Sequence, residues 1–141
     1  MRQNSGRPRG DVLPQTYSLT RTGNLLVARA AATGPAGTKV INLLVDTGST
    51  YTILPVEVLE SIGLSPAESD VHERIATGSG YIIAPKVRVR TFNSLGREFH
   101  RLPVIAHTLP FGGPIDRLLG MDVLSRLKAR IAVADGSIEV A

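Results

Sequence analysis

Asp46, Thr47, Gly48 and Ser49 are the residues whose types and spacing could do chemistry. The aspartate stands between two apolar runs, Lys39 to Val45 and Tyr51 to Leu54. Its carboxylate is therefore expected at a sharp turn in partly dry surroundings, where proton affinity is movable. Gly48 lets the backbone turn tightly, and the Thr47 and Ser49 hydroxyls offer hydrogen bonds that hold the carboxylate. Such a group suits acid–base work on water. Hydrolysis of a peptide bond needs two of them, one acting as base toward water while the other, protonated, polarises the carbonyl. The chain contains one such turn. Taken alone, Asp-Thr-Gly is also a common plain turn, because all three residues favour turns.

Other candidate constellations are weaker. Gly78-Ser79-Gly80 followed by Tyr81 lacks the Gly-Lys-Ser/Thr and the opening helix of a phosphate loop, and reads as a hairpin tip. His72, His100 and His107 are scattered without metal-ligand spacing and read as surface or structural residues, so no metal is expected. Ser49 and Ser79 lack a histidine partner for nucleophilic catalysis. Asp122 reads as a helix cap and Asp116 as a loop charge. With no cysteine, the chain has no disulfide, thiolate zinc site or cysteine nucleophile. No organic cofactor is called for.

The elements that must position Asp46 are mostly β. Asn24 to Ala32 predicts a strand, Thr33 to Gly37 a turn and Lys39 to Val45 a second strand, so that a hairpin delivers Asp46 at its end. Tyr51 to Leu54 resumes a β-branched, apolar run. Pro55 fits the first position of a short helix through Val56, Leu59 and Ile62, which Gly63 stops. Two extended segments between Val71 and Val89 flank Gly78-Ser79-Gly80, and a further pair turns about Asn93 to Gly96 and reaches Ala106. Within Lys86 to Arg90 the basic residues alternate with Val87 and Val89, as the solvent face of a strand would. Phe111 to Pro114 reads as a loop, and Leu118-Leu119-Gly120 as a brief strand. A helix then runs to about Lys128 with Val123, Leu124 and Leu127 inward. A last hairpin turns on Asp135-Gly136.

These residues resemble the retropepsin-like aspartic proteases, whose signature Asp-Thr/Ser-Gly-Ala/Ser reads here Asp46-Thr47-Gly48-Ser49. The resemblance covers about residues 24 to 140 and includes Leu118-Leu119-Gly120-Met121-Asp122, which looks like the family's second motif opening the C-terminal helix. Met121 stands where many viral members have arginine, as in bacterial and retrotransposon-type members. The resemblance implies a closed β-barrel-like fold with one short C-terminal helix and a flap hairpin. Thr77, Gly78, Ser79, Gly80 and Tyr81 would form the flap over an extended peptide substrate. It further implies a homodimer, since a single motif in a short chain supplies half a site. Asp46 of each copy would join a dyad that shares one proton and activates water, Thr47 would reach the partner's turn, and Gly48 would leave room for the substrate backbone. The other reading is a module of the same fold that binds or dimerises and cleaves nothing.

A length of 141 residues with 43% hydrophobic content suits one domain, read as 16–141 behind a flexible basic leader of 1–15. The net charge of +4 would fit a nucleic-acid binder, but Arg2, Arg7 and Arg9 lie in the leader, and three Phe, three Tyr and no Trp leave few stacking platforms. No nucleic-acid partner is expected. No apolar run approaches the roughly 20 residues that cross a bilayer, and Met1 to Gly10 show no signal-peptide region. The chain therefore reads as soluble and, by default, cytoplasmic.

Overall fold

The computed structural model describes residues 13–77, 79–108 and 113–141; the leader up to residue 12, Gly78 and the loop residues 109–112 lie outside them. The chain runs β1 (Gln15–Ser18), β2 (Thr20–Thr22), β3 (Leu25–Gly34), β4 (Gly37–Val45), β5 (Ile53–Leu54) and α1 (Val56–Ser61). A 3-10 turn at Pro66–Glu68 follows, then β6 (His72–Thr77), β7 (Gly80–Ser94), β8 (Arg97–Ala106), β9 (Arg117–Leu119), α2 (Met121–Arg126), β10 (Arg130–Ala132) and β11 (Ser137–Val140). The mostly-β expectation holds.

Eight of the strands form one sheet in the order β2-β3-β4-β9-β5-β8-β7-β6, and β3 also pairs with β7. Pairings therefore run in a circuit through β3, β4, β9, β5, β8 and β7. Strand β3 shows why the circuit is needed. Its inward residues, Ala28, Ala30 and Ala32, are poor strand formers and too small to anchor a sheet alone. β4 pairs along one edge and β7 along the other, so ladder hydrogen bonds supply what the side chains do not. The small side chains leave room for Phe92, fully buried and tilted against Phe99 with ring centroids 6.4 Å apart.

The hairpins follow their turn chemistry. Leu95 and Gly96 both have positive φ, +52° and +73°, the pair of values that a two-residue turn matched to strand twist demands. The C-terminal turn is longer than the expected Asp135-Gly136 dipeptide and spans Val133 to Gly136. Strand β1 carries no apolar alternation and is not foreshadowed. It forms by pairing with β11, Gln15 against Val140 through Ser18 against Ser137, in a three-stranded sheet with β10. Pro55 precedes α1 in an extended conformation instead of starting its first turn.

Strand β7 is the longest, and it corrects the division made from the residues. The second arm of the Gly78–Gly80 hairpin and the first arm of the next pair are one continuous strand. Residues 80–85 pair with β6, and 86–94 pair with β8. Lys86, expected on a solvent face, is half-buried, with Nζ 3.1 Å from the Glu73 carboxylate and 5.1 Å above the Tyr51 ring centroid.

Two apolar clusters result. The larger fills the body around Phe92, Leu43, Leu59 and Leu127. The smaller, Ile53, Ala84 and Ile105, lies beneath the β6–β7 hairpin, with Tyr51, Ile75 and Leu118 packed against it. Leu119 is fully buried in the larger cluster while its carbonyl accepts the Asp46 amide at 3.0 Å. Leu119→Ala keeps that backbone bond and opens a cavity, so urea unfolding should show a loss of about 2–5 kcal/mol.

Candidate active site

Asp46 directly follows β4, and its position is set from β9. Strand β9 lies between β4, which it pairs in parallel, and β5, which it meets antiparallel. The turn from Asp46 to Thr50 thus bridges two strands pinned by the same neighbour. The Gly48 amide donates to Asp46 Oδ1 at 2.8 Å, and the Ser49 amide donates to the Asp46 carbonyl at 3.2 Å. The carboxylate is half-buried.

One expectation about this turn is corrected. Ser49 Oγ donates to the Tyr51 carbonyl at 2.7 Å, so the carboxylate's hydrogen bond comes from a backbone amide. Gly48 is not in the left-handed region. The constraint on it is contact, since a Cβ there would stand 3.2 Å from Asp46 Oδ1.

The second motif locks the first. Gly120 sits against the turn so closely that a Cβ would come 2.4 Å from the Tyr51 carbonyl oxygen. Its amide donates to Thr52 Oγ1 at 3.1 Å, and Thr52 Oγ1 donates in turn to Asp122 Oδ1 at 2.8 Å. The Thr52 amide donates to Asp122 Oδ2 at 3.1 Å. Met121 and Asp122 donate their amides to the carbonyls of Ser49 and Thr50 at 2.8 and 3.2 Å. Asp122 is therefore no N-cap. Gly120 holds that position without a side-chain bond, and the Asp122 carboxylate reaches back to Thr52. Asp116, read as a loop charge, accepts the Asn42 amide at 2.8 Å and extends the β4–β9 ladder.

Above the turn lies the β6–β7 hairpin, and between them is a cleft of about 370 Å³. Asp46, Gly48 and Ser49 line it below, Ile75 and Ile82 from the hairpin, and Leu118 from β9. The structure brings these together but orients other expected residues elsewhere. Thr47 is exposed and borders a separate, mainly apolar groove with Met121, Leu124 and Ile131. Tyr81 is 57% exposed, and the Arg74 guanidinium stacks 4.3 Å from its ring centroid. Ser79 and Gly80 are exposed at the tip, Gly78 lies outside the described residues, and Thr77 pairs with Gly80 through its backbone.

Tyr51, Ile75, Ile82, His107 and Arg117 line the cleft without having been singled out as site residues from the sequence. Period-two alternation about the hairpin carries the signal for Ile75 and Ile82, which face each other across β6 and β7. Arg117 has no such signal. It is only 8% exposed, its Nε donating to the His107 carbonyl at 3.2 Å and its terminal nitrogen lying 2.7 Å from His107 Nδ1. A guanidinium can only donate, so Nδ1 accepts and the neutral imidazole carries its proton on Nε2. Burial first, and then the Arg117 charge, hold the His107 pKa below its ordinary value. Burial likewise lowers that of Arg117, which stays charged. Among the described residues no group of three or more His, Cys, Asp or Glu converges as a metal site, and no helix is long and apolar enough to cross a membrane.

The aspartyl protease family profile matches residues 32–123, from the β3–β4 hairpin through Asp46 and the β6–β7 hairpin into α2. The chain belongs to the aspartyl protease family. Its fold is that of the retropepsin-like members: the crystal structure of a retropepsin-like aspartic protease from Rickettsia conorii superposes with a TM-score of 0.67 at 20% identity, covering 91% of each chain. No curated protein matches the chain.

Two predictions follow from the bonds around the turn. Thr52→Val leaves the buried Gly120 amide without its partner and takes one hydrogen bond from the half-buried Asp122 carboxylate, and should cost about 1–3 kcal/mol in urea unfolding. The His107 prediction concerns pH. Because the folded pKa is depressed, the unfolded chain binds the proton first as pH falls below about 6.5. Stability present above that pH is then lost down to the folded pKa. His107→Gln removes this contribution, so unfolding free energies measured from pH 7.5 down to about 5 should decline less steeply than in the wild type.

Proposed function

We propose that the chain is an aspartic endopeptidase whose active site forms when two copies bring their Asp46 carboxylates together. The observation that carries this reading is Asp46 itself: a half-buried carboxylate, hydrogen-bonded by the Gly48 amide, at the floor of a cleft roofed by a hairpin. One carboxylate per chain cannot be base and acid at once, and the sequence holds one Asp-Thr/Ser-Gly turn. A two-fold symmetric pair supplies the second. The groove beside Thr47, lined by Met121, Leu124 and Ile131, is an apolar surface next to the turn that suits the seam, with Thr47 reaching across it. We read the circuit of strand pairings as a closed barrel that keeps each turn rigid enough for the pair to meet.

In the dimer two adjacent carboxylates share one proton, because both cannot ionise side by side. The ionised one takes a proton from water as its oxygen attacks the scissile carbonyl carbon. The protonated one gives its proton to the carbonyl oxygen, producing a neutral tetrahedral diol. Proton transfer to the amide nitrogen then lets the C–N bond break, releasing a carboxylic acid and an amine. No covalent enzyme intermediate arises. In this reading the hairpin tip with Thr77, Ser79, Gly80 and Tyr81 closes over an extended substrate, with Ile75 and Ile82 facing it from above.

The test is cleavage of a mixed peptide library at about pH 3.5 to 7. The wild type should cut with an acidic optimum and a specific rate that rises with protein concentration, whereas Asp46→Asn should fall to background. Equal cleavage by both proteins would remove Asp46 from the mechanism. A folded dimer that cuts nothing in either form would identify a binding module.

A further inference from the structure

The cleft carries more positive charge than a site built only for apolar side chains requires. Arg74 and Arg117 line it, with His107 beside Arg117 and Lys86 close by over Tyr51. Two of these cations are already engaged. The Arg74 guanidinium is stacked on Tyr81, and Lys86 is paired with Glu73. Arg117 differs. It is the most deeply buried of them, and among the described residues no carboxylate lies within ion-pair distance of it. Asp116, its sequence neighbour, directs an oxygen to the Asn42 amide instead.

A guanidinium brought out of water normally has a carboxylate beside it, because desolvation is otherwise unrecovered. Among the described residues its side-chain partner is a neutral imidazole ring, which accepts at Nδ1. Arg117 retains N–H groups beyond the two used on His107. The cleft wall therefore presents a charged fork whose two partners, the carbonyl and Nδ1 of His107, are both neutral. That arrangement is complementary to an anion with two oxygens.

We propose that Arg117, positioned by His107, is a specificity residue that anchors an acidic side chain, Asp or Glu, of the peptide bound in the Asp46 cleft. This rests on the peptide-binding reading of the cleft and adds the class of sequence it selects. The carboxylate would bind away from Asp46, which repels it, and draw the neighbouring backbone down toward the turn. A neutral isostere of the same shape fills the place without recovering the desolvation of the guanidinium, so discrimination between Glu and Gln is its signature.

The experiment measures binding rather than cleavage, so that it stands apart from whether peptide bonds are hydrolysed. Asp46→Asn protein is incubated with pools of short extended peptides that differ only in Glu or Gln at one position at a time, and the retained peptides are counted. One position should favour Glu over Gln by about tenfold, equivalent to roughly 1.4 kcal/mol. Adding Arg117→Gln should bring that ratio to within about twofold of unity, while Arg74→Gln should leave most of it. Equal retention of Glu and Gln at every position in the protein that keeps Arg117 overturns the proposal without any further variant. So does a preference that survives Arg117→Gln, or one that Arg74→Gln abolishes. If acidic peptides are selected but no peptide is cut by the wild type, the specificity stands and the catalytic reading alone fails.

Discussion

Thr52 is the residue on which the geometry of the site depends. It is fully buried, yet each of its polar groups is used: the amide and hydroxyl on Asp122, the hydroxyl also on the Gly120 amide, and the carbonyl on the Ile105 amide. A buried polar cluster stabilises only when every member is satisfied, because an orphaned donor or carboxylate in that position costs more than an apolar replacement. The cluster therefore has one permitted arrangement. That arrangement joins β5, β8 and the start of α2, three elements far apart in sequence, directly behind the Asp46 turn. Hydrophobic packing around Leu119 and Ile105 sets the distance between strands, but it is indifferent to small slides. The Thr52 cluster removes that freedom, and the close approach of Gly120 to the Tyr51 carbonyl depends on it.

What could be read from the residues alone follows from how local each determinant is. The Asp46 turn, the β3–β4 hairpin and the Leu118-Leu119-Gly120 strand carry their signals in contiguous residue types, and they stand within a residue or two of where alternation and turn chemistry put them. Asp122 was misjudged because capping is a local rule, whereas its carboxylate is claimed by a threonine 70 residues away. β1 was invisible for the same reason. It has no pattern of its own and exists only because β11 offers an edge. Lys86 followed the alternation of its strand, but a flexible stem let its ammonium fold back onto Glu73 and Tyr51. Arg117 was the least legible, since nothing in an arginine beside two leucines foretells burial against a histidine ten residues earlier.

The continuity of β7 bears on how the cleft can open. The root of the hairpin is tied down several times over. The Lys86 amide donates to the Val71 carbonyl at 2.9 Å, Ser69 Oγ donates to the Lys86 carbonyl at 2.7 Å, and Lys86 Nζ meets Glu73. The ion pair is partly exposed and counts for little, about 1 kcal/mol or less. The backbone bonds fix the strand regardless. Beyond the root, residues 80–85 pair, among the described residues, with β6 alone, while 86–94 are held in the sheet body by β8 and in part by β3. Bending is therefore confined to the segment between Lys86 and the tip. Ile75, on β6 opposite Ile82, rests on the Ile53–Ile105 cluster, so lifting the hairpin exposes apolar surface and lowering it restores contact. The hairpin lies down on this cluster, and on the proposed reading an extended peptide inserted beneath it replaces the contact it displaces. On the proposed reading, apolar side chains facing Ile75 and Ile82 do so, and discrimination among peptides falls to Arg117 on β9.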